Sequence, residues 1–165
     1  MARKSSPRVD AASKVIRASP RQLYHAFIDP DALASWLPPE GMNARIEQYD
    51  AHKGGTYRIV LSYQSPNHLT PGKTSDDSDV VRGRFMELVP DERIVQLVEF
   101  ESDDPAFAGE MKMTWAFTAV PAGTEVSILA ENVPGGIRQE DHEAGFRSSL
   151  ENLARVRRRT LMPFQ

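Results

Sequence analysis

The sequence predicts an α+β fold in which a curved antiparallel sheet wraps around one long C-terminal helix. Between residues 42 and 133 the apolar residues recur mostly at every second position, which is typical of half-buried strands. Near the C-terminus the spacing changes to three and four residues, which is typical of an amphipathic helix. Because one helix cannot cover a strongly curved sheet completely, we expect a hollow between the two. The positions on the inward face of this helix are His142, Phe146, Leu150, Leu153 and Val156.

Length and composition predict a single domain without disulfides. A chain of 165 residues buries roughly 70% of its unfolded surface, which is enough for one substantial core. Residues 1–8 are polar and lack periodicity, so we expect a disordered tail followed by one domain over residues 9–160. The absence of cysteine excludes disulfides, thiolate nucleophiles and cysteine-based metal sites.

Charge and hydropathy narrow the classes of function. The net charge of −3 gives no general basic field, so nucleic acid is not an expected partner. The start of the chain lacks the apolar run of a signal peptide, and no segment approaches the roughly 20 apolar residues of a membrane span. We therefore expect a cytoplasmic protein without a membrane span.

A strand and two short helices are predicted before the main part of the sheet. The strand covers residues 9–18. The sequence Ser19-Pro20-Arg21-Gln22 then has the pattern of a capping box with proline at the first helical position. Asp29-Pro30 repeats the cap and proline for a second helix, which Pro38-Pro39 ends. The apolar sides of these two helices are Leu23, Phe27, Leu33, Trp36 and Leu37.

Six further strands follow, joined by segments rich in turn-forming residues. Glycine, proline and aspartate mark most of the connections. The segment of residues 65–79 is longer than the others, rich in proline, serine and aspartate, and without a pattern, so we expect a loop there. The strands are predicted at residues 42–49, 56–64, 80–89, 93–101, 110–120 and 124–133.

The charges of the long helix agree with its predicted direction. A Pro-Gly-Gly break at residues 134–136 precedes it. Glu140, Asp141 and Glu143 lie in its first turns, and four arginines lie between residues 155 and 159. Acids at the start and bases at the end complement the helix dipole. We interpret the arginines as a solvated helix end.

This order of elements is a helix-grip arrangement, and several stretches carry a resemblance to a known group of proteins. They include SPRQLYHAFIDPDALASWLPPEG, YDAHKGGTYR, GRFMELVPDERIVQLVEFES, DPAFAGEMKMTWAF and ENVPGGIRQEDHEAGFRSSLENLA. The chain resembles the SRPBCC (START-like) superfamily. Within it, the chain is similar to bacterial proteins that resemble the C-terminal domain of the heat-shock chaperone ATPase activator, often labelled polyketide-cyclase-like. Many relatives have Gly-Trp where this chain has Gly145-Phe146, which should change the shape of the hollow.

The resemblance implies a ligand cavity between the sheet and the last helix. Members of the superfamily mostly bind apolar or amphipathic small molecules there, and a minority are cyclases, hydrolases or dehydratases. Aromatic and aliphatic residues at alternating positions are the candidates for its wall, although each of them could also simply fill a core. The candidate ligand-binding residues are Phe27, Trp36, Tyr57, Ile59, Phe85, Val98, Phe100, Met113, Trp115, His142, Phe146 and Leu150.

Signals for catalysis or metal binding are weak in this sequence. His142 lies among acids on the face of Phe146, where an imidazole could act as an acid or base, but a histidine in an acidic first turn is more often a solvated or structural residue. Glu99 and Glu131 could form a proton-transfer pair, but strand acids commonly face outward. No catalytic residue, metal ligand or cofactor is therefore assigned.

Three hypotheses of function remain at this point. The first is binding of a hydrophobic or amphipathic small molecule. The second is a cyclase- or hydrolase-like enzyme that uses the same cavity, with His142, Glu99 or a neighbouring tyrosine. The third, from the resemblance, is a module that regulates a chaperone ATPase in a stress response, although the chain has no room for the activator's additional N-terminal domain. A homodimer is a further hypothesis about partners.

Overall fold

The computed structural model describes residues 8–64, 75 and 78–161, with side chains as far as residue 155. Seven strands and three α-helices are present in this part of the chain, together with a 3₁₀ turn at Pro105–Phe107 that the sequence pattern did not predict. In chain order, the elements are β1 (Val9–Ile16), α1 (Pro20–Ile28), α2 (Pro30–Trp36), β2 (Met42–Tyr49), β3 (Thr56–Tyr63), β4 (Ser78–Val89), β5 (Arg93–Phe100), β6 (Met111–Val120), β7 (Gly123–Glu131) and α3 (Gln139–Leu161).

The strands form one antiparallel sheet in the order β1-β7-β6-β5-β4-β3-β2. The predicted α+β helix-grip architecture, with two short helices after the first strand and a long helix at the end, is confirmed. Strand ends differ from the prediction by one or two residues. Most of the predicted loop at residues 65–79 and of the tail at residues 1–8 lies outside the described residues, and β4 begins at Ser78.

The two short helices begin with the predicted caps. The hydroxyl of Ser19 accepts from the N–H of Gln22 at 3.1 Å, and the Gln22 amide oxygen accepts from the N–H of Ser19 at 3.0 Å. Asp29 caps α2 by accepting from the N–H of Asp31 at 3.0 Å. These bonds satisfy donors that the first turn of a helix leaves free. Both helices can therefore begin sharply and turn their apolar sides toward the sheet.

Replacing Ser19 by alanine should lower the free energy of unfolding by about 1 kcal/mol, because both reciprocal bonds of the capping box are lost. Urea denaturation of the variant and the parent protein measures the change. Ser35→Ala in α2 is the control, since Ser35 is exposed and lies inside a helix rather than at its cap. Equal stability of Ser19→Ala and Ser35→Ala would contradict a stabilising role for the cap.

Helix α3 lies against β1 and α2. Its first turns bind the outer edge of β1, where Glu143 accepts from the N–H of Ala11 at 2.9 Å and Gln139 donates to the carbonyl of Val9 at 3.3 Å. Further along, Ser149 donates to the carbonyl of Leu37 at 2.6 Å. The helix is thus anchored by polar contacts at one edge of the sheet and at the end of α2.

The core occupies the concave side of the sheet, which we call the inner face because α1, α2 and α3 cover it. Two residues at the end of β2 depart from the predicted alternation, and the first of them, Gln48, lies opposite Arg58 on the outer face instead of sharing a side with Ile46. A register shift between Ile46 and Gln48 places Tyr49 opposite Tyr57, so that Tyr49 joins the inner face instead of lying with Arg45 on the outer one. A β-bulge adds one residue to a strand, so the residues that follow it face the opposite side of the sheet from the one that simple alternation predicts.

Candidate ligand-binding site

One row of residues crosses five strands in the middle of the inner face. Each residue pairs with the next in the neighbouring strand, and all five are buried. Residues at paired positions point to the same side of a sheet, so this row lies under the helices. The row consists of Phe85, Gln96, Met113, Ala130 and Asp10.

An aromatic cluster closes the inner face beneath the short helices. The ring centroid of Trp115 lies 4.9 Å from that of Phe27 and 5.6 Å from that of Trp36. The indole N–H of Trp36 donates to the carbonyl of Ala26 at 3.0 Å, and Trp36 is fully buried. Edge-to-face contacts of this kind fix the ring planes. This end of the site is therefore rigidly packed.

A second aromatic cluster joins three strands. Tyr49, Tyr57 and Phe85 have ring centroids between 5.3 and 5.8 Å apart. The hydroxyl of Tyr49 donates to the carbonyl of Phe27 at 2.7 Å, which links this cluster to α1. Burial raises the pKa of both tyrosines well above the usual value. Their hydroxyls consequently stay protonated and uncharged at any physiological pH.

The ring of Tyr57 lies directly over Gly83 in the neighbouring strand. A Cβ atom on Gly83 would come within 2.1 Å of Cζ and 2.3 Å of the hydroxyl oxygen of Tyr57. Only glycine leaves the ring enough room there. Gly83 therefore allows the tyrosine to extend across β4 toward β5.

Helix α3 contributes the opposite wall. Leu150 and Leu153 are fully buried, whereas Phe146 keeps 8% of its surface exposed. The ring of His142 lies 4.3 Å from the ring of Phe146, one turn earlier on the same helix face. The predicted helix face thus packs inward from His142 to Leu153, and the side chain of Val156 lies outside the described residues.

A charged cluster ties the start of α3 to β1. The buried carboxylate of Asp10 accepts from Arg8 at 3.0 and 2.9 Å and lies 2.7 Å from Nδ1 of His142. Asp10 is completely buried, so its charge is stabilised by these contacts rather than by water. The interaction fixes the orientation of the imidazole ring, because one ring nitrogen is held by the carboxylate.

The other end of the inner face is partly exposed. Leu61, Tyr63 and Phe100 lie there with intermediate exposure. Burial, together with the negative charges of Asp79 and Asp141, raises the pKa of Tyr63. An acidic, partly exposed end thus adjoins the apolar interior.

The twelve residues predicted to line the ligand site lie on the inner face of the sheet or on the helices that cover it. Ten of the twelve are in the buried core, while Phe100 and His142 are partly exposed. Their role as ligand contacts stays a prediction. Glu99 and Glu131, by contrast, lie on the outer face, where Glu99 accepts from Arg82 at 3.1 Å, so the sequence-based hypothesis that they face a pocket is wrong.

Three inner-face residues were missed by the sequence reasoning. Gln96 lies on the same side of β5 as Ile94 and Val98, and Asp10 lies on the same side of β1 as Ala12. A polar residue at a position where alternation predicts an apolar one was therefore a usable signal for both. Tyr49 gave no such signal, because the bulge that turns it inward follows from pairing with β3.

A separate surface groove of about 390 Å³ runs beside α3. Side chains of both charges line it, including Glu40, Arg147 and Glu151. Among the described residues, no cluster of three histidine or acidic side chains could hold a metal ion. Within the same part of the chain, no helix combines the length and the apolar character needed to cross a membrane.

Comparison with known proteins identifies the family. The model of the family described as "Activator of Hsp90 ATPase homolog 1-like protein" matches residues 17–157. The chain belongs to this family. A crystal structure of a Chromobacterium violaceum protein is 32% identical with a TM-score of 0.78, and the match covers 91% of this chain and 97% of that one. No curated protein matches the chain in sequence.

More distant solved structures share the fold. The solution structure of an AHSA1-like protein from Aeromonas hydrophila is 17% identical, with a TM-score of 0.68 over 90% of each chain. A Rhodobacter sphaeroides protein is 20% identical, with a TM-score of 0.68 over 93% of each chain. The predicted resemblance to the SRPBCC superfamily and to this branch of it is confirmed.

Proposed function

We propose that this protein binds a hydrophobic or amphipathic small molecule between the inner face and α3. The observation that supports the proposal most strongly is the aromatic and apolar inner face, which ends in the partly exposed residues Leu61, Tyr63 and Phe100. Ligand sites are mostly apolar, with few polar groups that fix orientation. An apolar interior that reaches the surface at one end suits a ligand of this kind.

The position of α3 supports the same proposal. The helix backbone approaches β1 and α2, so the region between α3 and strands β3–β5 is spanned by side chains. Phe146 and Met113 keep 8% and 9% of their surfaces exposed, although both belong to the core cluster. Movement of a few side chains would therefore be enough to admit an apolar molecule.

The catalytic alternative has less support from the geometry. Glu99 lies on the outer face with Arg82. Nδ1 of His142 is held by Asp10, and this contact joins α3 to β1. A structural role accounts for both residues, so we propose binding rather than catalysis.

A fluorescent probe tests the binding function. N-phenyl-1-naphthylamine should bind saturably, should be displaced by a non-fluorescent alcohol such as dodecanol, and should raise the melting temperature in a concentration-dependent way. Fluorescence titration and thermal unfolding on the same protein measure these effects. Binding that no apolar competitor displaces, or the absence of any stabilisation, would contradict the proposal.

Replacing Phe146 separates a ligand wall from a solid core. We expect Phe146→Ala to cost about 1–2 kcal/mol of stability and to change probe affinity, because a ring beside a hollow makes fewer contacts than a packed one. Phe146→Trp should keep the fold and favour smaller ligands. Leu150→Ala, one turn further and fully buried, is the control and should cost about 2–5 kcal/mol. Unfolding of Phe146→Ala together with unchanged binding by Phe146→Trp would place Phe146 in a solid core.

A further inference from the structure

Two polar side chains lie in the middle of the apolar inner face. Gln96 on β5 is 4% exposed and pairs with Phe85 on one side and Met113 on the other. The hydroxyl of Tyr57 extends from β3 over Gly83 on β4, the strand next to β5. Both groups are therefore directed into the same central region of the face.

Neither group has a hydrogen-bond partner in the described part of the chain, and neither has an interaction beyond those described above. Other polar groups of the core are paired: the hydroxyl of Tyr49 donates to a carbonyl at 2.7 Å, and the indole of Trp36 donates to another at 3.0 Å. A buried polar group without a partner costs folding free energy. Its presence in an otherwise satisfied core points to a ligand that supplies the partner.

We propose that the ligand carries a neutral polar group, such as a ketone, ester, amide or hydroxyl, which pairs with Gln96 and Tyr57 while its apolar body contacts the aromatic rings. This inference rests on the proposed binding function and narrows its ligand class. The glutamine amide offers both a donor and an acceptor, and the tyrosine hydroxyl offers a donor. A carbonyl oxygen could accept from both residues, and a hydroxyl could also donate to the amide oxygen.

The charges around the site explain why the polar group should be neutral. Among the described inner-face positions of β3–β6, the one charged residue is Asp79, near the partly exposed end. A ligand carboxylate beside Gln96 would be buried without a cation, because the described inner-face positions next to it are apolar. A ligand cation would find the nearest central carboxylate, Asp10, already held by Arg8 and His142. An unpaired charge is costly to bury, so a neutral group is favoured.

Three naphthalenes of similar size test the inference. The probes are 2-ethylnaphthalene, 2-acetylnaphthalene and 2-naphthoate, and each dissociation constant is measured by displacement of N-phenyl-1-naphthylamine. The ketone should bind at least as tightly as the hydrocarbon, although water solvates the ketone better. The carboxylate should bind roughly tenfold or more weakly than the ketone, because burial of its charge is uncompensated.

Two variants assign the effect to the named side chains. Gln96→Leu should weaken the binding of 2-acetylnaphthalene by roughly five- to tenfold, which corresponds to one net hydrogen bond. The binding of 2-ethylnaphthalene should stay unchanged or become tighter. Tyr57→Phe should also weaken the binding of 2-acetylnaphthalene but not that of 2-ethylnaphthalene, and it changes the shape of the site less because only the hydroxyl is removed. The melting temperature of ligand-free Gln96→Leu should equal or exceed that of the parent, because the substitution removes an unpaired buried amide.

The outcomes distinguish this inference from the proposed function. If none of the three compounds displaces the probe, the binding function itself fails. If the ketone and the hydrocarbon both bind but respond equally to Gln96→Leu and Tyr57→Phe, binding stands and the neutral polar group is wrong. A clear fall in the melting temperature of ligand-free Gln96→Leu would also overturn the inference, since it would mean that a water molecule already satisfies the amide.

Discussion

Replacing Asp10 by alanine should lower the free energy of unfolding by about 3 kcal/mol, the lower end of the loss expected when one partner of a buried ion pair is removed. The carboxylate is completely buried and holds both Arg8 and His142. Without it, Nδ1 of His142 loses the carboxylate that joins α3 to β1. The loss falls at the lower end because the side chain of Arg8 is 30% exposed and can turn toward water.

The control for Asp10→Ala is a second contact between the same two elements. Glu151 on α3 accepts from Lys14 on β1 at 3.2 Å, but its side chain is 56% exposed. Glu151→Ala should therefore cost less than about 1 kcal/mol. Urea denaturation of the parent protein, Asp10→Ala and Glu151→Ala measures the three free energies of unfolding. Equal losses in the two variants would show that Asp10 acts only as a surface charge would.

Replacing Gly83 by alanine should destabilise the protein by about 1–3 kcal/mol and strongly weaken binding of N-phenyl-1-naphthylamine. The added Cβ would lie 2.1 Å from Cζ of Tyr57, so the ring has to leave its place over β4. Because that ring also packs against Phe85, its displacement disturbs the centre of the inner face. Thermal unfolding and probe titration measure the two effects.

Two controls isolate the clash with Tyr57. Gly145→Ala on α3 meets no atom within 4 Å and should stabilise the helix by about 0.5–1 kcal/mol. In a Tyr57→Leu background, Gly83→Ala should cost far less than it does alone, which gives a coupling free energy between the two positions. Additive losses in the double variant would refute the proposed clash.

The fold could be predicted from the sequence because local signals and global packing agree. Two examples depend only on residues close in sequence, and the structure confirms both. Ser19 caps α1, and Phe146 and Leu150 lie on the buried side of α3. The end points of strands were less certain, because pairing with a neighbour decides where a strand stops. β1, for example, ends with Ile16 opposite Thr124.

The interior of the candidate site was harder to predict, because it depends on register between strands. Alternation alone indicated that Tyr57 faces inward, but the contact of its ring with Gly83 requires the pairing of β3 with β4. Likewise, nothing near Asp10 in the sequence indicates His142, which is 132 positions away. Gln96 could have been predicted, since it is the polar residue between Ile94 and Val98 on the buried side of β5.

The anchoring of α3 on β1 also bears on aggregation and self-association. An edge strand with free N–H and carbonyl groups is a template on which another chain can add a strand. Here the outward N–H of Ala11 and the carbonyl of Val9 are occupied by Glu143 and Gln139. A second copy could extend the sheet at β1 only by displacing these side chains. These two contacts of α3 thus also hinder intermolecular strand pairing at the start of this edge.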